Sequence, residues 1–326
     1  VSLKSFDIIY DDIISLDNLL AAWQEFLRGK RDRADVQLFQ LHLMDHILDL
    51  QYDLRNKIYA HSSYEAFNIS DPKPRHIHKA SVRDRLLHHA IYRQFYPMYE
   101  RTFIHHSYSC QKNKGTHKAL DAFTIMARQI SNNHTKTCWV LKCDIKKFFA
   151  SIDQQILLHI LKQKIVDPDT VWLLGQVINS FQTEYGKGLP LGNLTSQLLV
   201  NIYMNKFDQF MKHELHSKYY IRYADDFAIL DQDKEKLSEI LNLIKVFLRT
   251  ELQLELHPKK VSISTFASGV DFLGWVHFSQ HRTLRTVTKR RMFKSVVGLE
   301  TDSLTVQSYL GLLSHGDAYG LQNKIK

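Results

Sequence analysis

The chain has 326 residues, 44% of them hydrophobic and 24% charged, with a net charge of +9. That profile excludes a disordered polyelectrolyte, and the length allows two or three sub-domains around a sizeable core. No stretch approaches the ~20 consecutive apolar residues that span a bilayer, no basic-then-apolar leader opens the chain, and Cys110, Cys138 and Cys143 are never spaced Cys-x-x-Cys, which fits a reducing cytoplasm better than a disulfide framework. The charge points to a polyanionic partner, with basic clusters at 28–33, 73–85 and 282–294, although such runs also occur as solvated faces.

Residues 15–28 place Leu16, Leu19, Leu20, Trp23, Phe26 and Leu27 at helical spacing, with Ser15 to cap the start and Gly29 the end. A second helical pattern runs through Val36, Phe39, Leu43, Ile47, Leu50 and Leu54. Within it His42 and His46 stand one turn apart, as a metal-binding pair would. Asp45 sits where a zinc protease needs Glu and no third ligand is in sight, so an ordinary helix surface is the better reading. Residues 64–80 alternate around Asp71-Pro72-Lys73-Pro74 and read as a hairpin, followed by a helix over 81–99. Residues 138–145 read as a buried strand carrying Asp144 at its end. Helices fit 153–165, 168–182, 194–215 and 233–250, short strands 252–256, 260–266 and 270–278, and a basic, mainly helical tail follows from 284.

Between the last two long helices lies Tyr219-Tyr220-Ile221-Arg222-Tyr223-Ala224-Asp225-Asp226-Phe227-Ala228-Ile229-Leu230. Tyr, Ile and Phe favour strands and Asp favours turns, so this is a hairpin with two carboxylates at its tip. Alone, the pair fits a solvated turn equally well. Asp144 offers a third carboxylate, although it also suits the start of a helix. Placed beside the hairpin, Asp144 and Asp225 would together hold two Mg²⁺, which prefer a few carboxylates plus phosphate oxygens and water.

Here the chain resembles the reverse transcriptases, over roughly residues 60–326. Arg75 to Arg85 resembles the family's first fingers block, and Tyr108-Ser109-Cys110-Gln111 through Gly115 its second. Asp144 to Asp153 is similar to motif A, Leu189 to Gln197 to motif B, and Tyr223 to Asp226 to motif C. Leu256-His257-Pro258-Lys259-Lys260 resembles motif D, and Phe272-Leu273-Gly274-Trp275 the primer grip of motif E. No single block is specific, but seven in order are.

The resemblance implies an α+β right-hand polymerase fold, with an antiparallel palm sheet packed on helices. Its parts would be an N-terminal helical extension (1–60), fingers (61–135), a palm (136–280, with a finger insertion at about 165–190) and a small helical thumb (281–326). It implies RNA-directed DNA polymerase activity by two-metal nucleotidyl transfer, with Mg²⁺ (or Mn²⁺ in its place) on Asp144, the Ile145 carbonyl, Asp225 and Asp226. Lys260, with Lys259 as a close alternative, would protonate pyrophosphate. Arg75, Lys79, Phe148, Phe149, Leu191, Gly192 and Gln197 would contact the incoming dNTP. Phe149 would act as the steric gate against a ribose 2′-hydroxyl, and Trp275 as an aromatic platform for the primer end. The partners would be template RNA, the RNA/cDNA duplex and dNTPs, with no membrane.

Motif B in group II intron and retroviral enzymes usually reads Gln-Gly and then Ser-Pro. Here it reads Leu191-Gly192 and then Ser196-Gln197. Together with the Arg75 to Arg85 block, 107–119 and Ser308-Tyr309-Leu310-Gly311, this resembles the reverse transcriptases of diversity-generating retroelements. That resemblance implies error-prone copying at template adenines and a small basic oligomeric accessory protein. An anti-phage defence enzyme, another group II-like enzyme and an inert RNA-binding scaffold remain as alternatives.

Overall fold

A computed structural model describes Phe6 and residues 9–70 and 74–325, so Asp71 to Lys73 of the expected turn lie outside the described residues. Two compact units alternate along the sequence. The first takes the chain through Ile104, then Lys146–Gln209 and Phe247–Glu255; the second takes His105–Ile145, Phe210–Val246 and the chain from Leu256 on.

The first unit starts with α1 (Tyr10–Ile14), α2 (Leu16–Phe26), α3 (Ala34–Leu41) and α4 (Leu43–Arg55). Ser15 caps α2 as expected, its side chain accepting from Asn18 N. The single helix expected over 36–54 is two helices, because His42 leaves helical geometry at φ −122°, ψ 40°. His46 stacks on Phe39 at 4.4 Å, and among the described residues no three His, Cys, Asp or Glu side chains gather as a metal site. Strands β1 (Glu65–Ile69) and β2 (Arg75–Lys79) form the expected antiparallel hairpin, and α5 (Val82–Glu100) follows from the Ser81 cap. Helix α2 lays Leu19, Ala22, Trp23 and Phe26 against α5, while Asn18 Nδ2 donates to Ala90 O at 3.2 Å.

The chain then supplies α6 (Thr116–Ile130) and β3 (Trp139–Asp144) to the second unit. It returns to the first with α7 (Phe148–Ser151), α8 (Gln154–Lys162), α9 (Pro168–Asn179) and α10 (Leu194–Gln209). Asp167 caps α9 with Pro168 in its first turn, a favoured start because that nitrogen needs no partner. The helix expected to reach residue 215 ends as a π-helical turn over Phe210–Glu214.

Strands β4 (Tyr220–Tyr223) and β5 (Asp226–Asp231), helix α11 (Lys234–Glu251) and β6 (Ser262–Thr265) come next. The four-stranded sheet has the order β4-β5-β3-β6 and is antiparallel throughout, with α6 packed on it. Residues 252–256 form no strand; only Leu256 bridges, to Ile145. A three-stranded antiparallel sheet, β7 (Val270–Phe272), β8 (Trp275–His277) and β9 (Arg282–Leu284), precedes α12 (Thr286–Val296), α13 (Leu304–Leu313) and α14 (Tyr319–Ile325). Cys138 and Cys143 are buried in the second unit, and burial pushes both thiols up to about 12. Cys110 is exposed. Among the described residues no helix is long and apolar enough to cross a membrane. The fold is α+β with antiparallel sheets.

Candidate active site

In the second unit, the antiparallel register of β3 and β5 sets Asp144 directly opposite Asp226. The β4–β5 hairpin pairs Tyr223 with Asp226, so Ala224 and Asp225 are the whole loop. Ala224 stands at φ +55°, a region that costs an L side chain energy and persists where surrounding contacts hold it. One such contact is Arg222, which is 1% exposed: its guanidinium donates to Ala224 O at 3.1 Å and to Ser107 Oγ at 3.1 Å. Gln111 donates to the same Ser107 oxygen at 2.9 Å. Backbone bonds from Tyr108 N to Arg222 O and from Arg222 N to His106 O dock residues 106–108 on the edge of β4. Sequence reasoning assigned no role to Arg222; an arginine inside an apolar strand run was the available signal.

The end of β3 is tied to the loop by Ile145 N donating to Asp225 O at 3.2 Å. Burial first, and then the negative charges of Asp144 and Asp226, push the Asp225 carboxyl up to about 6, against a lowering by Lys260 and by a backbone hydrogen bond. Lys260 Nζ donates to both oxygens of Asp144 at 2.8 Å, while His257 N donates to Asp144 O at 2.7 Å. Of the two candidate lysines in this turn, Lys260 is the one seen at Asp144. Lys142 Nζ lies 3.7 Å from Asp226 Oδ1.

These side chains suit a hard divalent cation in chemistry: all are carboxylate oxygens, and the negative charges of Asp144 and Asp226 add to the effect of burial in raising Asp225. They are not gathered as a three-ligand cluster among the described residues. The Lys260 ammonium takes both Asp144 oxygens and stands where a cation would. Mg²⁺ would bind Asp144, Asp225 and Asp226 once Lys260 gives way.

In the segment expected to form a primer grip, Phe272 pairs with Trp275 and the two-residue turn uses Leu273 at φ +51° and Gly274 at φ +89°, the pattern of a tight type I′ hairpin. The expected aromatic platform is not open. Trp275 is 1% exposed, and a Cβ built on Gly316 would lie 2.1 Å from its ring, so the absence of a side chain at Gly316 is what lets the indole bury. Leu273 and Gly274 are the partly exposed residues of the turn.

The remaining expected residues fall in the first unit. Arg75, Ile77 and Lys79 share one face of β2, since side chains alternate along a strand. Arg75 is exposed; Lys79 is bound to Asp35 at 2.9 Å and Glu65 at 3.2 Å. The motif B turn docks on this strand: His78 N donates to Leu191 O at 3.1 Å and Asn193 Nδ2 to His78 O at 2.8 Å. Gly192, at φ +110°, would place a Cβ 2.9 Å from Ile77 Cγ2, so only glycine fits this approach. Gly192→Ala should cost about 1–3 kcal/mol and lower the melting temperature; unchanged melting would show that the turn is not pinned there. Phe148 is buried and Phe149 half-buried, and Leu189 N donates to Phe149 O at 2.8 Å, which joins the motif A turn to the start of motif B. Gln197 is half-buried in the first turn of α10.

The chain spans 65% or less of the length of the curated relatives it matches. Protein YkfC of Escherichia coli (strain K12) is 25% identical over 258 residues, 66% of this chain and 65% of that protein. The group II intron-encoded protein LtrA of Lactococcus lactis subsp. cremoris is 24% identical over 260 residues, 59% of this chain and 42% of its own. An uncharacterized 91 kDa protein in the cob intron of Schizosaccharomyces pombe is 27% identical over 180 residues, covering 50% and 21%. The profile of the reverse transcriptase (RNA-dependent DNA polymerase) family matches residues 70–277. With Asp144 facing Asp226 across antiparallel strands and Asp225 in the loop between β4 and β5, the chain belongs to the reverse transcriptase family.

Proposed function

We propose that this protein is an RNA-directed DNA polymerase of the diversity-generating type, with a right-hand arrangement of fingers, palm and thumb. The observation that carries the polymerase reading is the register that opposes Asp144 to Asp226 with Asp225 in the connecting loop. Bound Mg²⁺ would supply a lowered pKa at the primer 3′-hydroxyl and shielding of the triphosphate. Asp144, Asp225 and Asp226 hold the charge for that binding. Lys260 Nζ donates to Asp144 Oδ1 at 2.8 Å and is the proposed donor for the leaving pyrophosphate. Arg75 and Lys79 grip the triphosphate, Lys79 exchanging Asp35 and Glu65 for phosphate oxygens. Phe149 rejects the ribose 2′-hydroxyl.

The diversity-generating reading rests on Leu191-Gly192-Asn193-Leu194-Thr195-Ser196-Gln197 and the blocks that resemble those enzymes. Leu191 in place of Gln removes side-chain hydrogen bonds beside the nascent base pair and so relaxes discrimination. Primer extension on an RNA template with Mg²⁺ and dNTPs is the test. Wild type should extend and Asp144→Ala should not; equal activity in both would end the polymerase reading. Sequenced cDNA should carry errors concentrated at template adenines, fewer in Leu191→Gln, and a flat error spectrum would remove the diversity-generating assignment. A small basic oligomeric accessory protein and a structured template RNA are the partners proposed with it.

A further inference from the structure

A cavity of about 480 Å³ lies within the first unit, walled by Lys146, Lys147, Lys187 and Arg249 against the carboxylates of Glu184 and Glu255. Lys146 is matched by Glu255 at 3.2 Å. Lys147, Lys187 and Arg249 have no ion-pair partner among the described residues, so the wall carries an excess of positive charge. Like charges gathered on one concave surface repel, and an anion bound among them relieves that repulsion.

The cavity is built on fixed backbone. On one side, Thr183 Oγ1 donates to Ala150 O at 2.8 Å, Gly188 N to Ile152 O at 2.8 Å and Gln154 N to Gly186 O at 3.0 Å. Gly188 approaches so closely that a Cβ there would lie 2.7 Å from Thr183 Oγ1. On the other side, Lys146 N donates to Glu255 O at 2.9 Å, and Leu254 is buried with its N–H on Leu248 O. Lys147 stands at φ +47°, ψ 42°, a left-handed conformation uncommon for lysine.

The volume is that of a small-molecule site, and the wall selects a compact ligand with several negative charges. The cavity is partly open to solvent, and its volume suits a compact ligand rather than the extended groove that a nucleic-acid backbone tracks. None of the wall residues is among those assigned above to the incoming nucleotide. Yet Lys147, Ala150 and Ser151 flank Phe149 in the chain, so an occupant would brace the turn that carries the proposed steric gate.

We propose that this cavity is a second polyphosphate site, taking the triphosphate of a nucleotide or free pyrophosphate beside the Phe149 turn. The choice of these two sources rests on the polymerase reading; the site itself does not. Calorimetric titration of the full chain with inorganic tripolyphosphate in EDTA isolates the cavity from metal-dependent nucleotide binding. A single site is expected, weakened at least about tenfold in Lys187→Glu/Arg249→Glu and unchanged in Asp144→Ala. The neutral pair Lys187→Gln/Arg249→Gln, checked for an unaltered melting curve, should show a smaller loss in the same direction. Titrations with dATP and with pyrophosphate then separate the sources, the tighter binder being the occupant. Undiminished binding in both double variants, no binding to wild type, or stronger competition by oligo(dT) at equal phosphate concentration would overturn the site. Tripolyphosphate binding without primer extension would instead spare the site and remove the polymerase reading.

Discussion

Asp225→Asn should abolish primer extension, by at least about a thousandfold or about 4 kcal/mol, and at the same time make the metal-free protein more stable at pH 7.5. The two effects have one cause. Burial and the neighbouring Asp144 and Asp226 charges raise the Asp225 carboxyl from 3.8 to about 6, so folding favours its protonated form. The native state therefore binds more protons than the unfolded chain between those values. Stability from this group is fully present below pH 3.8 and is lost as the pH rises through about 6. At neutral pH the charged carboxylate costs an upper bound of about 3 kcal/mol, which solvent screening reduces. Asn removes that cost and keeps the shape. Melting in EDTA at pH 5 and pH 7.5 checks this: the variant should gain several degrees at pH 7.5 and little at pH 5. Added Mg²⁺ should stabilise wild type and shrink the difference. A variant no more stable than wild type at pH 7.5 without metal would show that burial and the neighbouring charges do not raise the Asp225 carboxyl as placed.

Arg222→Leu carries the second large effect, a loss of about 2–4 kcal/mol in urea unfolding together with a strong fall in extension rate. Leucine fills the space but removes the donor to the partly buried Ala224 O and one of the donors to the buried Ser107 Oγ, which keeps Gln111. Ala224 is held at positive φ in the two-residue loop that also contains Asp225, so losing its carbonyl's partner loosens the acid as well as the fold. Arg222→Lys should fall between, because a single ammonium cannot reproduce a two-armed fork. An Arg222→Leu protein with wild-type unfolding and activity would mean that the guanidinium is incidental.

Much of this was legible in the sequence because short-range pattern decides it. The Asp-Asp hairpin, the buried strand ending on Asp144 and the helix after Ser81 all follow from alternation, periodicity and capping. The break at His42 was not legible: the apolar spacing continues through it, and neither Gly nor Pro marks it. Helix α6 was not among the expected helices, and only its start falls within a resembling stretch. Within the site, the three acids could be named, but the partner of each depends on distant chain. Lys260 meets Asp144 across 116 residues of sequence, and Trp275 is buried by the room that Gly316 leaves. Local pattern shows which side chains are apolar, not which later segment will cover them.

The three thiols make the protein chemically addressable. Cys138 and Cys143 are buried and their thiols are pushed up to about 12, so near neutral pH they offer almost no thiolate. Cys110 is the exposed one. A maleimide dye therefore attaches to native protein at one position, three residues from the Ser107 that supports the Asp225 loop. It gives a fluorescent reporter there with no cysteine engineered in or out.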